Sequence, residues 1–230
     1  MRRFVKLFMA STVMAGLLLT GCGNQGEKAQ DPSTESKGAE TQAVLSLTKD
    51  NPIKVDKEAG KVTFLAKVNG KYFFEPTRHA AVFEGGSNGD KSVFTGLVDT
   101  EPFHNALVEI GAQAGENMTP DNKETTKVQG DSLAVSVTWG DGSKEYDLNE
   151  VVKDSNGSKI DIRFGGNLKR ALDKKTGCLI CLDSCPVGIT SNAAYTYGAV
   201  EKRDEVGFTG NQDILPEDGS LVAITVKLNK

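Results

Sequence analysis

The side chains best suited to chemistry lie in Gly177-Cys178-Leu179-Ile180-Cys181-Leu182-Asp183-Ser184-Cys185-Pro186, a C-x2-C-x3-C-P run. Thiolates are soft ligands, so the run suits Zn²⁺ or Cu⁺. Its spacing also equals that of the last three cysteines in the bacterial ferredoxin run C-x2-C-x2-C-x3-C-P. The first cysteine of that run would fall at Lys175. Three thiolates could still hold a 4Fe–4S cluster, with one iron left for another ligand. His79 and His104 are the only histidines, and His79, just before an apolar run, is the candidate additional ligand. In an oxidising compartment a disulfide from Cys185 to Cys178 or Cys181 is a third outcome, with one thiol left over. Inert burial is the fourth. In a flat strand Cys178, Ile180 and Leu182 share one face and Leu179, Cys181 and Asp183 the other, which keeps Cys178 and Cys181 apart. Gly177 and Gly188 bracket the run and Pro186 stops a strand, features that suit a surface turn in which the thiols converge. No catalytic set stands out: there is no Ser-His-Asp order, no HExxH helix and no paired-carboxylate signature. The glycine-rich stretch Gly85 to Gly89 lacks the Walker ending and the dinucleotide spacing, and reads as a tight hairpin loop.

Compartment narrows these choices. Arg2, Arg3 and Lys6 give a basic start, and Phe8 to Leu19 is a charge-free, mostly apolar run. A bilayer-spanning helix needs about 20 apolar residues, so this run is a secretory signal. It ends in Leu19-Thr20-Gly21-Cys22, which is similar to the lipobox of bacterial lipoproteins. Cleavage before Cys22 and acylation of its thiol would place the protein on the extracytoplasmic face of a membrane, held by lipid. A chain exported unfolded cannot carry a cluster built in the cytoplasm. The Arg2-Arg3-Phe4-Val5-Lys6 start has the arginine pair of a folded-export signal, but its apolar pair comes one position early. The chain has 27 Lys+Arg against 31 Asp+Glu, and residues 1–21 hold three of the basic residues and no acidic one. The mature form is therefore more acidic still, which argues against a nucleic-acid partner.

The elements that must position the cysteines follow a tether. Residues 22–42 begin with Cys22 and are polar thereafter, so they read as a flexible tether. A globular domain spans residues 43–230. Val62, Phe64, Ala66 and Val68 alternate with neighbours that include Thr63 and Lys67, the pattern of a half-buried strand. Asn69-Gly70 predicts a tight turn with Tyr72 to Phe74 as the return strand. Ala80 to Phe83, Ser92 to Val98, Leu133 to Trp139, Lys144 to Leu148, Lys159 to Phe164 and Val222 to Leu228 are further strand candidates. One helix is clear: Phe103, Ala106, Leu107 and Ile110 line one face, Thr100 is the candidate N-cap, Pro102 sits in the first turn and Gly111 ends it. One helix among some eight strands predicts a β-rich α+β domain.

Thr77-Arg78-His79, Gly85 to Lys91, His104-Asn105-Ala106-Leu107 with Ile110-Gly111-Ala112, and Ser132 to Trp139 resemble the YdjY-domain family of exported or lipid-anchored bacterial proteins. So do Phe164-Gly165-Gly166-Asn167 and Gly177 to Gly188. The resemblance covers about residues 60 to 228. It implies a single domain and no particular reaction. Some members carry a 4Fe–4S label and others keep only the cysteine matching Cys181, which implies that a cluster belongs to a subgroup. The expectation is a lipid-anchored accessory or binding protein for an unnamed small ligand or protein partner. The alternative is a redox or electron-transfer protein using Cys178, Cys181 and Cys185. An enzyme with His79 in its site is a weaker third reading.

Overall fold

The computed structural model describes residues 47–229. The signal segment 1–21, the lipidation site Cys22 and the tether 22–42 lie outside the described residues. Among the described residues no helix is long and apolar enough to cross a membrane.

Twelve strands dominate the described residues: β1 (Ile53–Asp56), β2 (Lys61–Val68), β3 (His79–Phe83), β4 (Phe94–Gly96), β5 (Ser132–Thr138), β6 (Glu145–Asp147), β7 (Val152–Asp154), β8 (Ile162–Phe164), β9 (Cys178–Cys181), β10 (Thr190–Asn192), β11 (Phe208–Gly210) and β12 (Leu221–Leu228). Three helices interrupt them: α1 (Thr100–Glu109), α2 (Leu148–Val151) and α3 (Leu168–Lys174). Eight strands close into a barrel in the order β2-β12-β5-β8-β10-β9-β3-β4, and β4 pairs back onto β2 through Ala66↔Gly96 and Val68↔Phe94. The pairs β3–β4 and β9–β10 are parallel; the rest of the ring is antiparallel. β1 extends the first half of β2, and β6 hangs from β5. β7 and β11 form a separate pair.

This architecture corrects the α+β expectation. The sheet buries its apolar face by closing on itself, so no helical layer is required. Val62, Phe64 and Ala66 of β2 join Val135 and Val137 of β5 and Val222, Ile224 and Val226 of β12 in one core. The other face of β2 and β12 is covered locally, where Leu65 and Ala223 pack with Leu47 and half-buried Leu97. The predicted helix is α1, and its Phe103 meets Phe64 edge to face at 5.2 Å. Its N-cap is Asp99 rather than Thr100, because the Asp99 carboxylate accepts the Thr100 N–H at 2.6 Å.

Two turn expectations also fail for a topological reason. Residues Gly70–Phe73 form one turn of 3-10 helix capped by Asn69, not a tight reversal into a return strand. A return strand would need an edge beside the second half of β2, and both edges there belong to β12 and β4. The glycine-rich stretch after β3 is not a hairpin, since β3 and β4 run parallel. It folds back over the residues that precede β9. Ser87 and Asn88 donate their N–H groups to the Lys175 and Thr176 carbonyls at 3.0 and 3.3 Å. A Cβ on Gly86 would stand 2.5 Å from the Thr176 oxygen, so glycine is required for that approach.

Candidate metal centre

β3, β9 and β10 bring the reactive side chains together. β9 pairs antiparallel with β3 on one side and parallel with β10 on the other. The β3–β9 register slips twice: His79 faces Cys181, Ala81 faces Ile180 and Val82 faces Cys178. Each slip inserts an extra residue and breaks the two-residue alternation of side chains. This overturns the flat-strand expectation that Cys178 and Cys181 point apart. Both sulfurs lie 3.8 Å from His79 Nδ1. The three ligand atoms all lie within 4.8 Å of one another. Cys185 packs against the pair.

The cluster is interior: His79 is 4% exposed and the three cysteines at most 1%. The expected surface loop is therefore a buried strand and turn. All three cysteines are free, so of the four outcomes the disulfide is not the one this structure shows. The Cys181–Cys185 turn is held from inside by polar side chains. His104, the other histidine, is on α1, where its ring packs 5.3 Å from Phe164.

Four residues that carry no metal-ligand signature build that turn. Asp183 is fully buried, accepts Arg78 Nε and Nη2 at 3.1 and 2.5 Å, and accepts the Gly198 N–H at 2.8 Å. Ser184 Oγ accepts the Val128 N–H and bonds the Asn192 carbonyl. Asn167 Nδ2 donates to the Cys185 and Gly188 carbonyls at 3.1 and 3.0 Å. Arg170 Nε donates to the Pro186 carbonyl at 2.7 Å. One signal in the sequence could have found Asp183: it is the only charged residue in an apolar cysteine run, and buried charges are paired.

Electrostatics within the cluster are uneven. The Cys178 thiol is held well below the ordinary thiol range, chiefly by its hydrogen bond with Cys181 and, against burial, by His79. The Cys181 thiol is pushed well above that range by hydrogen bonds with Cys178 and Cys185 and by burial. Burial disfavours the Arg78 charge, but Cys185, Asp183 and Cys181 outweigh it and hold Arg78 above the ordinary arginine value. The guanidinium also stacks 4.3 Å from the Tyr197 ring. Burial pushes the Asp183 carboxyl up, with Arg78 and the Gly198 N–H pulling the other way.

The fold and site together define a closed, mixed β-barrel protein with a buried thiol–imidazole cluster under a strand bulge. The chain belongs to the YdjY-domain family, whose model matches residues 53–227. Over 182 residues it is 54% identical to the Escherichia coli (strain K12) protein named "Uncharacterized protein YdjY", a match that spans 79% of this chain and 81% of that one. No solved structure matches the chain.

Proposed function

We propose that the protein is a lipid-anchored, extracytoplasmic metal-binding protein that holds one soft ion, Zn²⁺ or Cu⁺. The ligands are His79 Nδ1 and the sulfurs of Cys178 and Cys181, with Cys185 packed beside them. The observation that carries this reading is the convergence of the first three donors within 4.8 Å of one another. Around a tetrahedral ion with sulfur at about 2.3 Å and nitrogen at about 2.0 Å, sulfur and nitrogen stand about 3.5 Å apart. The two sulfur–nitrogen separations here are both 3.8 Å. A four-iron cubane must fit between its cysteine sulfurs and spreads them further, so the compact trio favours a single ion. Thiolate and imidazole together favour Zn²⁺ or Cu⁺ over the oxygen-seeking ions. A lone ion can also be acquired after export of an unfolded chain. The lipid anchor rests on Leu19-Thr20-Gly21-Cys22 after its short apolar run.

The test is anaerobic purification of the full chain in detergent, followed by elemental analysis and an optical spectrum. The expected result is about one equivalent of zinc or copper after loading, lost in Cys181→Ala. Iron with inorganic sulfide would overturn the single-ion reading. A chain that takes up neither zinc nor copper under reducing conditions would overturn metal binding altogether.

A further inference from the structure

Among the described residues, Ser191 Oγ is a buried side-chain oxygen with no hydrogen-bond partner. It belongs to the cysteine cluster. Ser191 is fully buried and stands directly beside Cys181 in the parallel β9–β10 ladder, so the two side chains share a face. A Cβ on Gly188 would lie 2.9 Å from Cys181 Sγ and 2.9 Å from Ser191 Oγ, so sulfur and hydroxyl flank the same point. Asn88 Nδ2 reaches the Cys178 sulfur at 3.9 Å.

The unmade bond stands out against the care taken around it. Thr190 Oγ1 donates to the Leu179 carbonyl, Asn192 Nδ2 to the Leu182 carbonyl, and Ser184 and Asn167 are bonded as described. An interior hydroxyl without a partner is among the costlier defects in a fold. This one sits by a sulfur. A thiol sulfur is a weak acceptor, whereas a sulfur that has lost its proton to a metal carries negative charge and accepts strongly. We propose that Ser191 is an outer-sphere donor to the metal-bound thiolate of Cys181, and that its hydroxyl gains a partner only when the ion is bound. This inference rests on the metal-binding reading above. Its consequence is a site whose hydrogen bonding is incomplete without metal, so that metal binding and hydroxyl donation reinforce each other. The O–H···S bond withdraws charge from the sulfur and orients its lone pairs toward the ion.

The test compares Ser191→Ala and Ser191→Thr with the unsubstituted full chain in detergent, using Zn²⁺ as the probe. Zinc affinity is measured by competition with a chromophoric chelator, and the melting midpoint is measured on each metal-free chain. Ser191→Ala is expected to lose about 10–100-fold in zinc affinity, the usual effect of removing an outer-sphere partner. Its metal-free midpoint should stay level or rise, because the deleted hydroxyl had no partner. Ser191→Thr, which keeps the hydroxyl, should hold affinity to within about threefold. A Ser191→Ala chain that binds zinc as tightly as the parent overturns this inference alone. So does a fall in the metal-free midpoint alongside affinity, since the hydroxyl would then serve the fold. A parent chain that binds no zinc overturns both this inference and the zinc reading beneath it.

Discussion

Asp183→Ala probes the interaction that holds the Cys181–Cys185 turn in place. Asp183 is fully buried, and Arg78 has only 7% of its side chain exposed. The substitution removes the acceptor of two guanidinium bonds and of the Gly198 N–H. It also leaves a buried cation without its main counter-charge. Breaking a buried ion pair by deleting one partner costs about 3–5 kcal/mol. The lower end applies here, because Arg78 keeps its stacking on Tyr197 and a 3.8 Å approach to the exposed Glu201 carboxylate. About 3 kcal/mol in a domain of this size lowers the melting midpoint by about 6–12 °C. Chemical denaturation followed by circular dichroism measures the stability change directly. The double variant Arg78→Met/Asp183→Leu separates charge from packing. Replacing both members by apolar groups should recover at least about 2 kcal/mol of the loss, since the isolated charge is gone. A single-variant loss below about 1 kcal/mol, or a double variant worse than the single, would refute the reasoning that the pair's electrostatics hold the turn.

Two further predictions concern the barrel and the anchor. Leu107 is fully buried on α1, so Leu107→Ala should cost about 2–5 kcal/mol in chemical denaturation; a change below about 0.5 kcal/mol would make α1 a surface appendage. Cys22→Ala should leave an unlipidated precursor or a soluble chain, read by detergent partitioning, and a variant that partitions like the mature protein would remove the lipobox reading.

Much of the barrel was legible because its longest strands announce themselves. β2, β5 and β12 carry an apolar residue at every second position, and α1 carries a four-residue apolar stripe with glycine at its end. Short elements did not. β7, β10 and β11 have three residues each, too few for a period to show, and α3 follows an N-cap, Asn167, in a left-handed conformation that makes no side-chain cap bond. The class was misjudged for a related reason. A count of strands and helices does not reveal whether a sheet closes, and closure here depends on three residue pairs between β2 and β4.

By itself the sequence determined which atoms were available for chemistry: three thiols at fixed spacing, one histidine ahead of an apolar run, and a short apolar leader ending at a cysteine. It determined those because residue type and local period are local properties. Whether Cys178 and Cys181 face together or apart was decided by the tertiary structure, since a strand's alternation can be broken only by the register of its neighbours. Two slips against β3 turn both sulfurs toward His79, a residue about a hundred positions earlier. The same long-range packing buries Asp183 against Arg78 and leaves Ser191 beside sulfur without a partner. No local pattern records these contacts, because burial is set by distant segments and an unmade hydrogen bond exists only once the chain around it has closed.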